Sequence, residues 1–149
     1  MSNPLRSIED YELFVYTLAE QFPAIQQSAL TVARRGSSLA RVAGELRFGG
    51  QFRLVIRERI VYDRLPAIID DYGYEVWQGN TKLYWYDLQP HPNALELQST
   101  QPHHKHVPPD IRRNRVPAPG LSFSQPNRPL LIREIEALLK GAATSLKSD

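Results

Sequence analysis

Residues 39–60, "LARVAGELRFGGQFRLVIRERI", hold two runs in which apolar side chains return at every second position. In the first, Ala40, Val42, Gly44, Leu46 and Phe48 alternate with Arg41, Ala43, Glu45 and Arg47. In the second, Phe52, Leu54, Ile56 and Ile60 alternate with Arg53, Val55, Arg57 and Arg59. A period of two belongs to a strand with one buried and one wet face, and two such runs joined by glycines make an antiparallel hairpin. The connection sets the register. A two-residue Gly49-Gly50 turn places Leu46 opposite Arg53 and mixes the faces. A three-residue loop, Gly49 to Gln51, pairs Leu46 with Leu54 and keeps the faces apart, so the longer loop is predicted. The wet face then carries Arg41, Arg47, Arg53, Arg57 and Arg59. Solvated charge is the default reading of that row; an RNA track or a partner dock is the functional one. Glu58 falls by parity on the apolar face. A strand end close to water is the simpler account. A half-buried carboxylate suited to acid–base work is the other, which keeps Glu58 as a secondary site candidate.

Outward from this hairpin, the period of two extends over residues 28–89. A second hairpin, "DYGYEVWQ" and "TKLYWYDL", turns at Gly79-Asn80. That register puts Tyr72, Tyr74, Val76, Leu83, Trp85 and Asp87 on one face. It puts Glu75, Trp77, Lys82, Tyr84 and Tyr86 on the other. Cross-strand aromatic packing accounts for the six Tyr and Trp residues between 72 and 86. A base-stacking platform is the alternative. On the N-terminal side, residues 7–22 read as a helix with Ser7 as N-cap and Glu9 and Asp10 in the first turn. Tyr11, Phe14, Val15, Leu18 and Phe22 form its apolar face, and Pro23 stops it. On the C-terminal side, residues 129–140 read as a second helix, with Leu131, Ile132, Ile135, Leu138 and Leu139 apolar and Gly141 as its cap. The expected fold is α+β, a single domain over residues 1–149. A curved antiparallel sheet of about five strands, two hairpins plus one strand, is flanked by the N- and C-terminal helices.

The composition bounds the chemistry. A chain of 149 residues buries a core without staples, and it has no cysteine, so disulfides, thiolate zinc sites and cysteine nucleophiles are excluded. The N-terminus lacks a signal-type apolar core and no stretch reaches membrane-spanning length, so a cytoplasmic protein is expected. The formal net charge is only +2, so any affinity for phosphate must come from local charge.

Local charge is found in residues 90–128, which hold most of the prolines and little periodicity. Long irregular segments in small domains are functional or disordered. His103, His104 and His106, with His91 upstream, are the only histidines of the chain. Lys105, Arg112, Arg113 and Arg115 follow, against the single acid Asp110. Metal-independent RNA cleavage needs a base for the 2′-hydroxyl, an acid for the leaving 5′-oxygen, and cations around the phosphorane; histidine, lysine and arginine supply these. In extended chain, His104 and His106 face one way and His103 and Lys105 the other, so Lys105 needs a bend to join them. Asp87 and His91 are candidates to orient an imidazole. Arg112, Arg113 and Arg115, with Arg57 and Arg59, are the candidate phosphate contacts. A metal site on His104, His106, His91 and Asp87 is disfavoured by the surrounding cations and by the lack of a ligand frame. On chemistry alone, a solvated proline-rich linker and a site remain equally open.

The stretches "SALTVARRGSSLARVAGELRFGGQFRLVIRERI", "DYGYEVWQGNTKLYWYD", "QPHPN" and "PHHKHVPPDIRRNRVPAPGLSFSQPN" together resemble the TumE family, with the likeness running from Tyr11 to Leu139. These are toxins of prokaryotic type II toxin–antitoxin pairs. The resemblance implies growth inhibition relieved by a cognate antitoxin, and leaves the molecular target open. Joined to the local chemistry, it leads to an expected metal-independent endoribonuclease with no cofactor. RNA is the expected substrate, and a homo-oligomer or toxin–antitoxin heteromer the expected assembly. The alternatives are a non-enzymatic toxin or regulator that blocks replication or translation by binding, and a metal-binding nuclease built on the histidines.

Overall fold

The computed structural model describes residues 3–88, 103–107, 115–117 and 121–147. A 3-10 turn at Pro4–Arg6 leads into α1 (Ile8–Tyr16) and the short α2 (Leu18–Gln21). Ser7 caps α1 as expected, its hydroxyl accepting from the Asp10 backbone N–H at 3.1 Å. The single helix expected over 7–22 is broken at Thr17. There the hydroxyl donates to the Leu13 carbonyl at 2.7 Å, a local bond that competes with continuing the ladder.

Five long strands follow: β1 (Ile25–Arg35), β2 (Leu39–Phe48), β3 (Phe52–Val61), β4 (Ile68–Gln78) and β5 (Thr81–Leu88). They form an antiparallel meander in chain order. Two short strands, β6 (His103–His106) and β7 (Arg115–Pro117), extend it at the β5 edge. Part of the segment expected to be irregular is therefore sheet. The proline-free stretch "HHKH" has the four N–H groups a ladder needs. Finally α3 runs Arg128–Lys147, past the Gly141 expected to end it. A glycine inside a helix costs only about 1 kcal/mol relative to alanine, and "AATSLK" beyond it contains good helix formers.

The first hairpin has the register its parity demanded. Leu46 pairs with Leu54 and Arg47 with Arg53, leaving Gly49 to Gln51 as the loop. Gly50 and Gln51 both take positive φ there, +63° and +65°. Leu46, Leu54, Ile56, Ile60, Tyr72, Tyr74 and Val76 are buried under Tyr11, Val15 and Leu18 from the N-terminal helices and Leu131, Ile132 and Ile135 from α3. Both helical layers lie on this one face, because Tyr11 and Arg128 both reach Glu58. The other face carries no helix among the described residues.

Gly44 stands on β2 opposite Leu30 of β1, with φ +135°. A Cβ there would sit 2.0 Å from the Ala29 carbonyl oxygen, a backbone atom with nowhere to move. Gly44→Ala adds both backbone strain and overpacking, and should lower the unfolding free energy by at least about 2 kcal/mol in urea titration. An unchanged midpoint would show that β1 shifts freely along β2.

The second hairpin departs from expectation. Its Gly79-Asn80 turn is as predicted, with Gln78 paired to Thr81 and Trp77 to Lys82, but Val76 then pairs with Tyr84. Leu83 is an extra residue, and such a bulge exchanges the faces of everything beyond it. Tyr84 and Tyr86 therefore share the helix-covered face with Tyr74 and Val76. Trp85 and Asp87 share the open face with Gly73 and Glu75. The assignment of Trp85 and Asp87 to the Tyr72–Val76 face, and of Tyr84 and Tyr86 to the other, is corrected by this one residue, while Leu83 itself packs against the core as expected. Tyr86 fills the core beneath α3, donating to Glu134 at 2.8 Å.

Candidate functional site

The ladder carries two rows across the open face. One runs Arg57, Gly73, Asp87, His104 and Pro117; the next runs Val55, Glu75, Trp85, His106 and Arg115. Without the Leu83 bulge, Asp87 and Trp85 would lie under the helices. With it, Asp87 holds the register position opposite His104, and Trp85 the position opposite His106.

Between Arg57 and Asp87 the row passes through Gly73, which presents no side chain. The Arg57 guanidinium lies across the bare backbone, and a Cβ on Gly73 would come within 2.8 Å of its Nη2. The result is a hollow of about 260 Å³ bordered by Val55, Arg57, Gly73, Glu75, Trp85 and Asp87. Arg57 is anchored from one side, Nη1 donating to Asp71 at 2.9 Å. Glu75 accepts from Trp77 Nε1 at 2.9 Å and lies 3.5 Å from Lys82 Nζ. Lys82 sits over the Trp85 ring at 4.3 Å, and Arg53 over the Trp77 ring at 4.7 Å. Trp85 Nε1 donates to Asp87 at 3.4 Å.

Of the other arginines of this face, Arg47, Arg53 and Arg59 are paired with acids and Arg41 is exposed. Arg59 makes a two-pronged pair with Asp70, at 2.7 and 2.8 Å, which occupies the fork a phosphate would need. Asp70 is itself the extra residue of a bulge, since Arg59 pairs with Asp71 and Ile60 with Ile69. Arg47 and Arg53 flank Glu45 and hold its carboxyl below the usual carboxylate range. Arg57 is the candidate that keeps donors, Nε and Nη2, without hydrogen bonds among the described residues.

The histidine cluster is divided. His104 and His106 stand on the open face of β6, while His103 stands opposite Leu88 and Lys105 opposite Tyr86, on the helix-covered face. β6 does not bend, so Lys105 does not join the other two. Its ammonium lies 3.4 Å from Glu134 and 4.2 Å from the Tyr84 ring centre. His91, Arg112 and Arg113 lie outside the described residues, and Arg115 occupies the register position next to His106. Among the described residues no cluster of three or more metal-ligating side chains occurs.

Glu58 is not near water. It is 1% exposed and accepts from Arg128 Nη1 at 3.0 Å, from the Tyr11 hydroxyl at 2.6 Å, and from the Tyr74 hydroxyl. Burial, with the Glu58 charge adding to it, pushes both phenols far above their ordinary range, so they remain donors at neutral pH. Asn127 completes the group, donating to the Tyr74 oxygen at 3.1 Å. Walled off from solvent by α1 and α3, the network joins four elements, α1, β3, β4 and α3. The strand-end reading is overturned, and an acid–base role has no route to a reacting atom. Arg128 was missed in the sequence. Its signal was the acid at an apolar parity position, because a buried carboxylate requires a cation.

A family profile described as Toxin TumE matches residues 15–139, most of the chain. The chain belongs to the toxin TumE family. The matched span takes in all seven strands, and with them the two open-face rows and the hollow. Membership makes it a toxin of the toxin–antitoxin kind and implies a cognate antitoxin. No curated protein and no solved structure is significantly similar to it. No helix among the described residues is long and apolar enough to cross a membrane.

Proposed function

We propose that this TumE toxin is a metal-independent endoribonuclease whose reaction centre is the open face at β5 and β6. The observation that carries the reading is the pairing of Asp87 with His104, in the row that begins at Arg57, and of Trp85 with His106 in the row beside it. Two positions along a strand separate the histidines by about 7 Å, a span that brackets a phosphate. His104, oriented by Asp87, takes the proton from the RNA 2′-hydroxyl as its oxygen attacks phosphorus. The P–O5′ bond breaks, and protonated His106 delivers its proton to O5′. Arg115, at the register position opposite His106, meets the charge on the non-bridging oxygens. The products are a 2′,3′-cyclic phosphate and a 5′-hydroxyl. Lys105, paired with Glu134 of α3, and His103 of β6, opposite Leu88, take no part in this reading.

The test is induction of the full chain with and without its genomic neighbour, followed by mapping of transcript 5′ ends. Discrete new ends bearing hydroxyl, formed also by purified protein in chelator, are expected. Growth arrest with no new ends would replace cleavage by binding. Ends bearing phosphate and lost in chelator would indicate a metal nuclease.

A further inference from the structure

The hollow over Gly73 is more than the reaction needs. Proton transfer and charge neutralisation require the β6 edge and one guanidinium, yet a cavity with its own wall of acid and indole lies beside them. Its donor pattern is specific. Glu75 offers a carboxylate of which each oxygen takes one bond or ion contact, from Trp77 or Lys82, and retains further lone pairs. Arg57 offers donors from across Gly73. Trp85 provides an aromatic wall, the kind of surface on which a base stacks. A volume of about 260 Å³ suits one heterocycle rather than a larger ligand.

Guanine is the base that fits this wall. Its N1–H and N2–H are adjacent donors that one carboxylate accepts together, while O6 and N7 accept from arginine. Adenine and cytosine offer only an exocyclic amine to a carboxylate, and uracil one ring N–H. Building on the ribonuclease reading, we propose that the Gly73 hollow is the toxin's base-selection pocket and takes a guanine of single-stranded RNA, with Glu75 as the discriminating residue. Glu75 positions substrate and moves no proton.

The probe is a 2′-O-methyl pentauridylate with its central base left as uracil or replaced by guanine, adenine or cytosine. It has no free 2′-hydroxyl, so binding is measured whether or not the protein cleaves. Both tryptophans of the chain, Trp77 and Trp85, border or flank the hollow, and their fluorescence reports occupancy. The guanine probe should bind at least about tenfold tighter than the others, the discrimination a good two-pronged base contact supplies. Glu75→Gln, which turns a donor toward guanine's donors, should abolish that preference while leaving the uracil probe's affinity unchanged. Gly73→Val, a strand-compatible residue whose first carbon displaces the flexible end of Arg57, should also remove the guanine preference, by filling the space. Equal affinity for all four probes, no binding to any, or a preference that survives Glu75→Gln overturns the proposal. A guanine preference in a protein that cuts no RNA upholds the pocket and removes the nuclease. RNA cleavage with no base preference does the reverse.

Discussion

Arg128→Met is expected to lower the unfolding free energy by about 3–5 kcal/mol in urea titration, the cost of leaving one member of a buried ion pair without its partner. Both Arg128 and Glu58 are fully shielded from solvent. The lone carboxylate would keep the Tyr11 and Tyr74 hydroxyls as donors, but no cation would offset its removal from water. The guanidinium also packs 4.9 Å from the Tyr11 ring centre and 5.3 Å from that of Phe14, so contact with α1 is lost too. Charge and packing separate in the double variant Glu58→Gln/Arg128→Met. It removes both charges at nearly constant volume, and should recover most of the stability, because a buried pair replaced as a unit costs little. If Arg128→Met unfolds within about 1 kcal/mol of the parent, the pair does not hold α3 to the sheet. If the double variant is as unstable as the single, packing against α1 rather than the unpaired acid sets the cost.

The first hairpin was readable because its two faces differ in chemistry: Leu46, Leu54 and Ile56 against Arg47, Arg53 and Arg57 admit one register. The second was readable at its turn and not beyond it. In "LYWY" the residues on both faces are apolar or aromatic, so a one-residue slip leaves only Asp87, which the unbulged register puts on the apolar face, as a mismatch to notice. The bulge at Leu83 is chosen by packing, which draws Tyr84 and Tyr86 toward Glu134 and α3. The alternation of His104 with Lys105 followed only from taking the chain there as extended, whereas the segment itself was expected to be irregular. What it faced was not legible, because Asp87 and Trp85 depended on that bulge. Glu58 shows the converse. Parity gave its face correctly, and only the identity of its partner, 70 residues away at Arg128, required the fold. Gly73 reads in sequence as a weak strand position; its use emerges only when Arg57 is seen lying across it.

Loss of the β6 histidines should have the largest effect on function. His104→Ala and His106→Ala are each expected to slow cleavage by 10²- to 10⁴-fold, the range a positioned acid or base contributes. The double variant should fall little below the worse single, because groups serving one proton-transfer sequence lose their effect together. Rate against pH should follow a bell, with the ascending limb reporting the base and the descending limb the acid. His104→Ala should flatten the ascending limb, and His106→Ala the descending one. Lys105→Met provides the internal control. Its ammonium is engaged by Glu134 and the Tyr84 ring on the far side of the sheet, so it should alter stability and leave the pH profile in place. Asp87→Asn should lower the rate less than His104→Ala, because it removes an orienting charge and not the base itself. Undiminished toxicity of the double histidine variant at wild-type expression would end the acid–base assignment. A Lys105→Met variant as inactive as His104→Ala would return catalysis to the opposite face of β6.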